Sequence, residues 1–213
     1  MAVHGQKAVR AWSCCLAIVG LSFGRLLAGQ GALSVPAKVL ADLGALPAFA
    51  LQDQDDRSFG TQDLKDKVWV AYFGYSTCSG TCPMIAQKVR LLQEAVSAGQ
   101  KGFALVFITL DPAKDQPRQL RRYAERLGAR PGLWHFLTGS KEAVRQVVKL
   151  GFGANAEPGV ECVGPMGHYQ FLHGTEMVLV DRRGHVRGRF DGLLHAEFDA
   201  LKRGMTALLQ EPS

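Results

Sequence analysis

Cys78 and Cys82, separated by Ser79-Gly80-Thr81, are the residues of this chain best equipped for chemistry. A Cys-x-x-x-Cys pair can close a disulfide, pass electrons by thiol exchange, or hold a soft metal through two thiolates. A third ligand favours the metal, because copper(I) suits thiolates completed by an imidazole. His173, in the stretch directly ahead of the apolar Met177-Val178-Leu179-Val180 run, is the candidate third ligand. In a fold built on βαβ units, such a loop can lie beside the C-terminal end of the first strand, where ligands gather.

The flanking residues say how the pair is held. Val68-Trp69-Val70-Ala71-Tyr72-Phe73 is β-branched and aromatic and predicts a buried strand. Pro83 suits the first turn of a helix, and Ile85, Val89, Leu92 and Val96 then form one apolar stripe. Cys82 thus falls at a helix N-terminus, where backbone N–H groups and the helix dipole predict thiols of low pKa. Phe103 to Leu110 reads as a central strand covered on both faces, stopped at Asp111-Pro112.

The rest of the chain supplies the frame. Leu46 to Leu51 and Ser58-Phe59, with a turn at Asp53–Asp56, predict a short N-terminal hairpin. Residues 117–127 predict a helix with Leu120, Tyr123, Ala124 and Leu127 on one face. Its other face carries Arg118, Arg121, Arg122 and Arg126, read as solvated, with docking of an acidic partner as the functional alternative. A short strand at 133–137 follows, then a helix capped by Ser140 and closed by Gly151, a glycine-rich loop over 152–168, a hairpin around Arg182-Arg183-Gly184, and a last helix carrying Phe198, Leu201, Met205 and Leu208. This order describes an α/β domain, a mixed central sheet flanked by helices.

A chain of 213 residues with 47% hydrophobic content fits one substantial domain and an N-terminal extension. The net charge of +6 is spread out, with no basic run interleaved with aromatics, which excludes nucleic acid as the expected partner. Five cysteines are too few for a disulfide scaffold once Cys14 and Cys15 are set aside in an apolar N-terminal segment. Residues 1–29, basic and then apolar, read as a signal peptide, with an uncleaved membrane anchor as the alternative. Residues 30–46 read as a linker and 47–210 as the folded domain. The domain is expected outside the cytoplasm.

Phe73-Gly74-Tyr75-Ser76-x-Cys78-x-x-x-Cys82-Pro83 resembles the signature of the Sco/SenC copper chaperones. Phe107 to Asp111-Pro112-x-x-Asp115, Tyr169-x-x-x-His173 with Asp181, and Phe49-x-Leu51-x-Asp53 are similar to further stretches of that family, in the same order. The resemblance implies a thioredoxin-like fold with Cys78, Cys82 and His173 as copper ligands, for Cu(I) or Cu(II). It also implies a role in assembling the dinuclear copper centre of cytochrome c oxidase. The partners it implies are the oxidase copper-site subunit and a thiol reductant protein that keeps the redox-active Cys78–Cys82 pair reduced. The location it implies is the periplasm or the periplasmic face of the bacterial inner membrane, with membrane attachment through the N-terminus.

A thiol–disulfide reductase that keeps the oxidase cysteines reduced is the competing reading. It needs the two cysteines and not His173. A thiol peroxidase ranks third, since Phe73 stands where that reading wants a proline. Cys162, Met166 and His168 read as ordinary loop residues, with auxiliary copper ligation as the alternative. Met84 reads as a packing residue at the helix start, and His135, His185 and His195 as structural or surface residues.

Overall fold

The computed structural model describes residues 40–96, 101–153, 161–163, 169–171 and 175–211, and opens with a hairpin. Strands β1 (Ala50–Gln52) and β2 (Ser58–Gly60) pair antiparallel with Leu51 opposite Phe59. Asp53 makes the turn: its Oδ1 accepts from the backbone N–H of Asp55 at 2.8 Å and of Arg57 at 2.9 Å. An aspartate that bonds the backbone two residues on is the local chemistry that starts turns.

Strand β3 (Val68–Gly74) is buried along its whole length, as is β4 (Phe103–Thr109), and the two run parallel. Helix α1 (Cys82–Ala95) connects them, and α2 (Pro117–Leu127) leads from β4 to the parallel strand β5 (Trp134–Leu137). Gly128, in the left-handed conformation at φ 66°, ends α2, a position where glycine carries no steric penalty. Helix α3 (Lys141–Arg145) starts where Ser140 Oγ accepts from Ala143 N at 3.1 Å. It continues as a π-helical segment, Gln146–Gly151.

Two short strands, β6 (Glu161–Val163) and β7 (Tyr169–Phe171), then pair antiparallel. Strand β6 falls within the loop expected over 152–168, and β7 directly follows it. Three-residue strands carry too little alternation to register as a pattern. Strands β8 (Glu176–Val180) and β9 (Val186–Asp191) complete the main sheet, and α4 (His195–Gln210) closes the domain. The strand order is β5-β4-β3-β8-β9, with β8 antiparallel to both of its neighbours.

The sheet is covered on both faces, as two near-continuous apolar strands require. Tyr72, Leu105 and Phe107 pack with Ile85, Val89 and Leu92 of α1, Leu120 and Tyr123 of α2, and Phe198, Leu201 and Met205 of α4. On the other face Trp69, Phe73 and Ile108 meet Val144, Val148 and Phe152, together with Leu51 and Phe59 of the hairpin. Residues 42–46, read from sequence as linker, lie beside the β8–β9 turn and the start of β9: Leu43 N donates to Val186 O at 2.8 Å and Leu46 N to Gly184 O at 2.9 Å. Among the described residues no helix is long and apolar enough to cross a membrane, and the segment 1–29 lies outside them.

Candidate metal centre

The site is built where β3 runs out. Gly74 is its last residue, Cys78 N donates to Tyr75 O at 3.2 Å to turn the chain, and α1 begins at Cys82 with Pro83 in its first turn. Proline loses nothing there, because the first N–H groups of a helix have no intrahelical acceptor. Tyr75 and Cys82 are buried and pack with the half-buried Cys78 as a cluster of their own. A Cβ at Gly74 would lie 3.1 Å from Cys82 Sγ and 3.3 Å from the Phe107 ring. Glycine at the strand end therefore makes room for the buried sulfur.

Both cysteines are thiols, and Cys78 is hydrogen-bonded to Cys82. This arrangement pushes the Cys82 thiol far up, first through the hydrogen bond with Cys78 and then through burial. The opposing pull of the Tyr75 and Cys82 backbone is weaker. The expectation of two low-pKa thiols is corrected for Cys82. The helix N-terminus does face it, but a sulfur enclosed between strand and helix has lost the water that would stabilise its charge. Cys78, by contrast, is half-buried. A soft cation entering the pair must displace the protons the thiols hold.

Asp115 fixes the loop that carries Cys78. Its carboxylate is fully buried and accepts from Ser76 N at 2.9 Å, the Ser76 hydroxyl at 2.5 Å and the Thr109 hydroxyl at 2.6 Å. Gln119 Nε2 of α2 adds a bond to Ser76 Oγ at 3.2 Å. Burial raises the Asp115 carboxyl, against the lowering effect of these Ser76 and Thr109 donors. Asp111 sits at the other end of the same turn, where its N–H donates to Thr109 Oγ1 at 3.0 Å. The sequence pattern Asp-Pro-x-x-Asp marked these residues without revealing that the second aspartate reaches back to Ser76.

His173 lies outside the described residues, as do Met166 and His168. Cys162 falls in β6, paired with Gln170 of β7. Met177 of β8 lies opposite Tyr72 of β3, so β8 starts at the end of the sheet where the cysteine loop leaves. A Cβ on Gly192 would lie 2.7 Å from Ile85 Cδ1 of α1 and 3.2 Å from Thr175 O, so Thr175 is next to the first turn of α1. Among the described residues no cluster of three metal-ligating side chains forms.

Asp181 belongs to the far end of the sheet, since its neighbour Val180 pairs with Trp69. It accepts from Arg183 N at 2.9 Å, His185 N at 3.0 Å and Arg187 Nη1 at 3.1 Å, which makes it a turn anchor. Burial raises its carboxyl, but these three partners outweigh burial and hold it below the usual range. His135 stacks on Phe59 with 4.2 Å between ring centroids, and burial lowers its pKa. His185 Nδ1 is 2.9 Å from the Asp42 carboxylate, and His195 is exposed at the start of α4. Met84 is 55% exposed, so it does not pack the helix start as expected. Its position on the outer side of the first turn of α1 leaves no core for it to reach.

Known proteins resemble this chain in sequence and fold. A protein of Stutzerimonas stutzeri that carries a copper-binding name is 29% identical over 202 residues, covering 94% of this chain and 92% of its own. The crystal structure of a SCO1/SenC family lipoprotein from Bacillus anthracis aligns with a TM-score of 0.68 at 29% identity, covering 79% of this chain and 98% of its own. BsSco, in which a disulfide switch was identified and which is a member of the Sco family of cytochrome c oxidase assembly proteins, has the same fold. It aligns with a TM-score of 0.68 at 24% identity, covering 82% of this chain and 99% of its own. The fold is thioredoxin-like, as in these Sco structures. The SCO1/SenC family model matches residues 41–204, and the chain belongs to that family.

Proposed function

We propose that this protein binds copper as a chaperone and delivers or prepares it for the dinuclear copper centre of cytochrome c oxidase. Cys78, Cys82 and His173 are its ligands in this reading. The observation that carries it is the Cys78–Cys82 pair: two thiols hydrogen-bonded to each other where β3 gives way to α1, one half-buried and one enclosed. The pairing of Met177 with Tyr72 supports His173 as the third ligand, because it brings Thr175 to the same end of the sheet. His173 is two residues from Thr175, and two residues of chain span at most about 7 Å. The Sco family's tie to cytochrome c oxidase assembly supports the client.

Copper is the cargo. It takes the place of the thiol protons and is held by two thiolates, which suit Cu(I), while the imidazole adds more to Cu(II). Membrane attachment on the periplasmic side fits this role, and the family lipoprotein of Bacillus anthracis offers a parallel. The test is copper retention by His173→Ala. The expected result is a larger loss of Cu(II) than of Cu(I). Unchanged Cu(II) absorption and stoichiometry would remove His173 from the site.

A second reading follows from the unequal exposure of the two sulfurs. As a reductase, Cys78 attacks a disulfide of the client and forms a mixed disulfide. Cys82 then displaces the client thiol, so the client gains two electrons and Cys78–Cys82 becomes the disulfide. An external dithiol must restore it. Turnover of a client disulfide by His173→Ala at the wild-type rate favours this reading.

A further inference from the structure

Helix α2 presents a row of arginine that the copper reading leaves unused. Leu120 and Tyr123 face the core, and Arg118, Arg121, Arg122 and Arg126 are all exposed, with Glu125 as the helix's one acidic residue. Two of the four have partners: Arg121 is 3.3 Å from Asp55, and Arg126 lies over the Tyr123 ring at 5.5 Å. Arg118 and Arg122 have none among the described residues. At i and i+4 they stand one turn apart on the side of α2 away from Leu120.

The same helix is wired to the cysteine loop. Gln119, next to Arg118, donates to Ser76, and Asp115, two residues before α2, holds Ser76 at backbone and side chain. A body that rests on this end of α2 is therefore close to the loop that carries the half-buried Cys78. Guanidinium groups bind carboxylates through paired hydrogen bonds and shed water more readily than ammonium groups, so arginine suits a protein surface rich in Asp and Glu. A flat anionic membrane would need the arginines alone. A protein that exchanges copper or electrons with Cys78 needs the arginines and the loop together.

We infer that the Arg118–Arg122 face of α2 is the docking surface for an acidic face of the protein that takes the cargo from Cys78, and this rests on the proposed function. The surface orients the partner and speeds encounter, while the sulfurs hold the copper.

The test compares wild type, Arg118→Glu/Arg122→Glu, and Lys141→Glu/Arg145→Glu, which makes the same charge change on α3 at the opposite face of the sheet. The probes are the soluble copper-site domain of cytochrome c oxidase from the same organism and phosphatidylglycerol vesicles. Binding is read at low and moderate salt, with copper content and melting temperature measured on every variant. The α2 reversal should weaken domain binding at least about tenfold at low salt and remove most of its salt dependence, while the α3 reversal changes it less than about threefold. Copper content should stay at the wild-type level in all three. An unchanged domain affinity in the α2 variant, or an equal loss in the α3 variant, overturns the surface. So does a loss confined to vesicle binding, which would assign the arginines to the membrane. Failure of wild type to bind the domain while still holding copper at Cys78 and Cys82 also overturns the surface but leaves copper binding standing. Failure to hold copper at all overturns the proposed function instead.

Discussion

Asp115 holds Ser76 twice, accepting from its N–H at 2.9 Å and from its hydroxyl at 2.5 Å, across a separation of 39 residues. The loop between β3 and α1 is thereby tied to the turn between β4 and α2. That tie anchors the loop that carries Cys78, which follows Ser76 by two residues.

Removing the carboxylate should loosen the loop. Asp115→Ala leaves the half-buried Ser76 N–H and the buried Thr109 hydroxyl without their acceptor, at up to about 1–3 kcal/mol each. Denaturant unfolding should show a loss of roughly 2–4 kcal/mol. Asp115→Asn should lose less, because its amide can accept from the backbone and donate to Ser76 Oγ. Equal stability of Asp115→Ala and wild type would mean the tie contributes nothing.

The raised Asp115 carboxyl carries a pH signature. A folded-state value above the unfolded one means that the folded chain binds the proton more tightly. Its stabilising share is complete below about pH 4 and is lost as pH rises through the raised value. The stability of wild type relative to Asp115→Asn should therefore fall as pH rises from about 4. Denaturation across a pH series measures the difference, and a rising difference would show that the hydrogen bonds outweigh burial.

Gly74→Ala tests the fit between strand and sulfur. The added methyl would stand 3.1 Å from Cys82 Sγ, closer than ordinary van der Waals contact. The sulfur must shift by a few tenths of an ångström, and the fold should survive with a loss of about 1–2 kcal/mol. Copper should bind more weakly and with an altered absorption spectrum. A spectrum and affinity matching wild type would show that the Cys82 position is not set by Gly74.

Much of this was readable from the residues. The strand Val68–Gly74, the α1 stripe and the helix Pro117–Leu127 announce themselves through apolar runs and spacing, because two-sided burial and one-sided burial leave different patterns. The pairing of β6 with β7 left no such mark. Neither did the contact of Asp115 with Ser76, which depends on two turns meeting in space and not on any local pattern. The thiol chemistry was half legible. Position at a helix N-terminus follows from Pro83, whereas the enclosure of Cys82 beside Gly74 and Tyr75 needs the packed structure. Met84, expected inside, lies outside for the same reason.

The most direct measurement loads reduced protein anaerobically with Cu(I), alkylates it, and reads copper content and cysteine modification by mass. The expected result is one copper per chain with Cys78 and Cys82 both protected, and no copper on protein whose Cys78–Cys82 disulfide is intact until a dithiol reductant is added. Full copper uptake by the disulfide form would contradict it and move the site to Cys162, Met166 and His168.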